Sequence, residues 1–132
     1  MKITVDTNIL VRAAVRDDRK QAEVAATFLK EAEVIAVTLP CLCEFVWVLR
    51  RSYALRSDDI AAAIEALLNT ANVAVNRPAA EAGLAILQAG GDFADGVIAH
   101  EGGWLGGETF VSFDRKAVSR VSEHGMDARL LV

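Results

Sequence analysis

Cysteine is nearly absent: Cys41 and Cys43 are the two in the chain. They stand two residues apart in an apolar stretch, too close for an ordinary disulfide. The second pair or the histidines of a zinc site are missing as well. Packed thiols in a reducing compartment are the expectation. Long apolar runs are also missing, and none approaches the roughly 18 residues of a spanning helix, so no membrane is expected as a partner. The opening MKITV has no charged-then-apolar leader pattern, which predicts a cytoplasmic protein. A basic surplus is absent: 14 Lys and Arg face 18 Asp and Glu, a net charge of −4. That excludes coating nucleic acid through a broad basic face. It leaves open an enzyme in which acids bind cations and the cations meet a phosphodiester. There is no P-loop, no GxGxxG after a strand and no G-x-S-x-G. The glycine-rich GGWLGGE at 102–108 lacks the lysine and spacing of a phosphate cradle and reads as a turn. His100 and His124 lie far apart in sequence. His100, on an apolar helix, is expected to be a satisfied core or surface histidine rather than a base.

What is present is a good deal of apolar side chain, 53% of the 132 residues, enough to build a real core in one domain spanning 1–132. Short strands are predicted at 2–5, 33–37, 72–75, 109–113 and 128–132. Between them the spacing predicts helices. The first runs over 8–16, and a second is capped by Asp18 and extends to 32. A third has Pro40 in its first turn and runs to 52. Others run from Ser57 to 70 and from Pro78 to 88, the latter stopped by Gly90-Gly91. Asp92 opens the next, ending near Gly102-Gly103, and the last covers 115–123. Strands alternating with helices predict an α/β fold, a central and mainly parallel sheet of about five strands flanked by helices. Ligands of open parallel sheets bind beyond the carboxyl ends of the strands. Two predicted strands deliver an acid there, ITVD giving Asp6 and FVSFD giving Asp114.

Further acids join them. Glu44 is the one charge in TLPCLCEFVWVL, beside the stripe of Leu42, Phe45, Val46 and Leu49. An unpaired carboxylate there is costly, so a buried arginine or a bound cation is expected to offset it. Asp92 and Asp95, in GGDFADGVIAH, share one face at a helix start. Asp6, Asp92 and Asp114 each have an alternative role as a helix N-cap. Carboxylates about 4 Å apart repel by roughly 1–4 kcal/mol. A fold that gathers several therefore needs protons or cations, and all-oxygen ligands favour Mg²⁺ or Mn²⁺ over zinc.

Four stretches, VDTNILVR, CEFVWVLRR, GGDFADGVIAH and TFVSFDRKAV, occur in one order along nearly the whole chain. In this the sequence resembles a PIN-domain ribonuclease, and within that group a VapC-type toxin of bacterial toxin–antitoxin systems. The resemblance implies an endoribonuclease that uses Mg²⁺, or alternatively Mn²⁺, to activate water and leaves 5′-phosphate and 3′-hydroxyl ends. It implies that Asp6, Glu44, Asp95 and Asp114 are catalytic and hold metal, with Asp92 as an extra metal acid. Asn8 and Ser112 would orient ligands or water, and Arg115 and Lys116 would touch the RNA backbone. Arg50 and Arg51 are candidates for the same contact, but a place at the surface or at a dimer edge is the favoured expectation for them. A cognate antitoxin protein and a homodimer are the implied partners. Two other functions fit parts of the pattern. One is an acid-rich phosphohydrolase of small phosphoesters, weakened because the residue two after Asp6 is Asn8. The other is a non-catalytic binding module in which the acids are only caps and ion pairs.

Overall fold

A computed structural model describes residues 1–132. The chain divides into two compact units, Met1–Asn76 and Arg77–Val132. The first unit contains β1 (Lys2–Thr4), α1 (Thr7–Val15), α2 (Arg19–Glu31), β2 (Val34–Ala36), α3 (Leu39–Arg51), α4 (Ser57–Leu68) and β3 (Val73–Ala74). The second contains α5 (Arg77–Gln88), α6 (Phe93–Trp104), β4 (Thr109–Ser112), α7 (Arg115–Glu123) and β5 (Asp127–Leu130). The α/β class is as expected, and every strand pairing is parallel.

The five predicted strands are present, but they do not form one hydrogen-bonded sheet. β1, β2 and β3 pair in that order, and β4 and β5 form a separate two-stranded ladder. The strands are two to four residues long. Such short strands show their apolar character in the sequence, but nothing in it fixes their partners.

Local chemistry explains the helix starts. Asp18 accepts the Gln21 N–H at 3.0 Å, and Thr38 accepts the Cys41 N–H at 3.2 Å ahead of Pro40 in the first turn of α3. α1 ends where Arg16 turns left-handed (φ 60°) and bonds back to the Arg12 carbonyl. Buried Leu42, Phe45, Val46 and Leu49 give α3 its inward stripe, and α3 contacts both α1 and α4.

α6 ends at Trp104, next to Gly102-Gly103 as expected, but one expectation beside it needs correction. GGWLGGE is not all turn: its first three residues are helical, and the reversal falls at Gly106, whose φ is +101°. The helix remains hydrogen-bonded past the glycines, with the Leu105 N–H reaching the carbonyls of Glu101 and Gly102. A helical glycine costs only about 1 kcal/mol relative to alanine.

Candidate active site

In the first unit, Asp6 follows β1 and caps α1. Its Oδ1 accepts the Thr7 N–H at 2.7 Å. The other oxygen has no protein partner, and the side chain is exposed. Buried Thr7 donates its hydroxyl to Cys41 Sγ at 3.8 Å, tying the start of α1 to the start of α3. Burial pushes the Cys41 thiol up, the Thr7 hydrogen bond opposes this, and the Asp6 and Glu44 charges add to the rise. One thiol therefore feels both expected acids of this unit. Both cysteines are free, as expected.

Glu44 is exposed and forms no salt bridge. The expectation of a costly carboxylate at the edge of the core, offset by a buried arginine, is thereby corrected. Helical geometry gives the reason. At about 100° per residue, Glu44 lies roughly 200° around the helix from Leu42, on the face opposite the stripe. Asn8 is exposed on α1.

In the second unit, Asp92 caps α6 by accepting the Ala94 N–H at 3.1 Å, and Asp95 stands in the first turn. Asp114 follows β4 and caps α7, its Oδ1 accepting from Lys116 at 3.0 Å and Ala117 at 3.2 Å. Ser112 positions this turn, its hydroxyl oxygen accepting the Asp114 N–H at 2.9 Å. Asp95 is half-buried. Burial pushes its pKa up to about 6, and the Asp92 and Asp114 carboxylates add to the rise. These three acids are thus brought within electrostatic reach of one another. None is paired with a cation of the protein. In neither unit do three acid, histidine or cysteine side chains close up as a finished metal cage. Arg115 and Lys116 are exposed in the first turn of α7. Of the two arginines near the end of α3, Arg50 bonds the Ser57 hydroxyl and Arg51 lies 5.6 Å over the exposed Trp47 ring.

The cap role and a ligand role are compatible, because each capping aspartate spends one oxygen on the helix. In each unit what remains free is carboxylate oxygen, the donor type suited to a hard divalent ion. Burial first, and then the Asp92 and Asp114 charges, disfavour the Asp95 carboxylate, and a bound cation would offset both. The donor set therefore fits Mg²⁺ or Mn²⁺.

Two features were not read from the sequence. A groove of about 870 Å³ runs along α1 and α2, lined by Asn8, Ile9, Arg12, Val24 and Phe28 among others. Val24 and Phe28 are exposed there. The signal was available, since both lie off the Ala22, Ala25 and Leu29 face of α2. Second, His100 and His124 line one cavity of about 190 Å³ with Met126. His100 is not satisfied as expected, since its Nε2 is buried without a partner. His124 Nδ1 lies 2.8 Å from the Arg120 carbonyl.

No helix is long and apolar enough to cross a membrane. Comparison with curated proteins and with solved structures gave no match. The family model described as PIN domain matches residues 3–123, a span that takes in all five acids, and the chain belongs to the PIN domain family.

Proposed function

We propose that this protein is an endoribonuclease and the toxin of a toxin–antitoxin pair of the VapC type. PIN domains are typically nucleases and generally use Mg²⁺ or Mn²⁺. RNA as substrate, Mg²⁺ dependence and the toxin role go beyond that and are the proposal. The observation that carries it is the PIN-domain match over residues 3–123, which takes in Asp92, Asp95 and Asp114, none of them ion-paired. The reading treats both units as parts of one PIN domain, in keeping with a family match that spans them.

Within the first unit Asp6 and Glu44, and within the second Asp92, Asp95 and Asp114, are assigned as metal ligands. A divalent ion held by such acids would supply Lewis acidity, lowering the pKa of water and neutralising charge on phosphate oxygens. The protein's part is positional. Asp6 and Asp114 are fixed by their caps, and the Ser112 hydroxyl holds the backbone of Asp114. Asn8 is assigned to orient water or ligand, and Arg115 and Lys116 to hold the RNA backbone. A cognate antitoxin and a second copy of the chain are the proposed partners, in the cytoplasm. The groove along α1 and α2, where Val24 and Phe28 are exposed, is the surface assigned to a partner.

The test is cleavage of structured RNA and of a small phosphomonoester by wild type, Asp6→Asn and Asp95→Asn, with Mg²⁺ and with chelator. Metal-dependent cutting of RNA alone, lost in both variants, is the expected result. Turnover of the phosphomonoester but not RNA would move the protein to the phosphohydrolases. Induced expression tests the toxin role: equal growth arrest by wild type and Asp6→Asn would count against it.

A further inference from the structure

Phe113 stands between Ser112 and Asp114 and is 77% exposed. An aromatic residue so open to water, next to a carboxylate assigned to the reaction, calls for an explanation. β4 alternates, with Thr109 and Val111 exposed and Phe110 and Ser112 half-buried. Phe113 continues that period of two onto the open side. The register pairs Val111 with Arg129 of β5, and Arg129 is exposed as well. Arg115 and Lys116 follow within three residues, both exposed. None of these three cations forms a salt bridge. An exposed aromatic side chain with unpaired cations two and three residues on and on the neighbouring strand suits a nucleotide, a flat base with charged phosphates on either side. Proteins that bind single strands combine these two elements.

We propose that Phe113 is a stacking platform for an unpaired nucleobase of the RNA, with Arg115, Lys116 and Arg129 holding the adjoining phosphates. The inference rests on the nuclease reading and narrows its substrate class. A base held in a duplex stacks on its neighbours and is unavailable to the ring, so the nucleotide beside Asp114 must come from a loop, bulge or single strand.

The probe is a short single-stranded oligoribonucleotide carrying a fluorescent purine analogue, bound in chelator by wild type, Phe113→Ala, Phe113→Leu and Phe113→Tyr. A hairpin with the analogue paired is the control. Expected are quenched fluorescence with wild type and Phe113→Tyr, and weaker binding by Phe113→Ala of about five- to 150-fold. Phe113→Leu should resemble alanine, because it is apolar but has no π-face. The paired hairpin should bind less tightly than the single strand. Equal binding by wild type and Phe113→Ala, or by wild type and Phe113→Leu, overturns the proposal. So does a change of oligomeric state in Phe113→Ala, which would assign the ring to a protein interface. Failure of the nuclease reading looks different: Phe113-dependent binding and quenching persist, but wild type cuts no RNA with Mg²⁺ or Mn²⁺.

Discussion

Gly96 in α6 lies so close to Gly83 in α5 that a Cβ built on it would stand 2.7 Å from the Gly83 Cα and 2.5 Å from the Ala82 carbonyl oxygen. Both obstacles are backbone, so neither moves cheaply. Gly96→Ala should destabilise by about 1–3 kcal/mol or more through forced separation of the helices. It should also disturb its neighbour Asp95 and reduce cleavage. Gly102 is the contrast within the same helix, since a Cβ there meets nothing within 4 Å. Gly102→Ala should stabilise by about 0.5–1 kcal/mol, because alanine loses less backbone freedom on folding. Urea midpoints of the two variants check the pair, and movement in the same direction would refute the close approach.

The raised carboxyl of Asp95 makes stability depend on pH in an uncommon direction. Its pKa is about 6 folded against 3.8 for the free group, so between these values the folded state binds more protons than the unfolded. In metal-free buffer, stability should therefore fall as pH rises from about 4 to about 6 and then level off. Partial exposure screens the effect, leaving on the order of 1 kcal/mol. Asp95→Asn should remove this slope and be more stable than wild type at neutral pH while failing to cut RNA. Thermal melts across pH provide the measurement. A variant less stable than wild type at neutral pH would contradict the electrostatic account.

Much of this was legible in the residues because capping chemistry is local. Asp18, Asp92 and Asp114 each hydrogen-bond the next few backbone N–H groups, so their role needs no tertiary information. Pro40 likewise marks the first turn of α3. Glu44 was misread for a different reason. Sitting among apolar neighbours in sequence is not sitting among them on a helix, and the residue faces away from its stripe. GGWLGGE is only partly a turn because glycine merely weakens a helix, while Gly106, with its positive φ, is where the chain turns. The split of the strands into three and two is a matter of partner choice, which two- to four-residue strands do not encode. The crowding around Asp95 was foreseen as a set of acids, but its burial depends on packing.

Cys41 offers a readout of the first unit that does not require catalysis. Its thiol is raised by burial first, with Asp6 and Glu44 contributing. Asp6→Asn and Glu44→Gln should each lower the thiol pKa in a Cys43→Ser background, followed through thiolate absorbance against pH. If the two acids hold Mg²⁺ as proposed, adding the ion to the parent should lower the thiol pKa in the same direction. No response to Mg²⁺ would argue that these acids are not ligands. No response to either substitution would argue that the charges lie farther from the sulfur.

Tyr53 should set the acid sensitivity of the turn between α1 and α2. Arg12 donates to the Tyr53 hydroxyl at 3.1 Å, to Asp17 at 3.2 Å and, through Nε, to Gln21 at 2.7 Å. The Tyr53 hydroxyl in turn donates to Asp17 at 3.0 Å. That hydrogen bond is the largest cause holding the Asp17 carboxyl below its usual range, with Arg12 adding to it. Tyr53 is likewise the largest cause raising the Arg12 guanidinium. A carboxyl lowered on folding contributes stability above its unfolded pKa and loses it as pH falls through the folded value. Tyr53→Phe removes the donor while keeping the ring, so it should lower the melting temperature at neutral pH. The loss should shrink on acidification as Asp17 takes up a proton. Asp17→Asn should abolish most of the difference between tyrosine and phenylalanine, because the two residues share one network and their effects do not add. A double-mutant cycle at neutral and acid pH measures this, and additive losses at both would show that Tyr53 stabilises the fold through its ring alone.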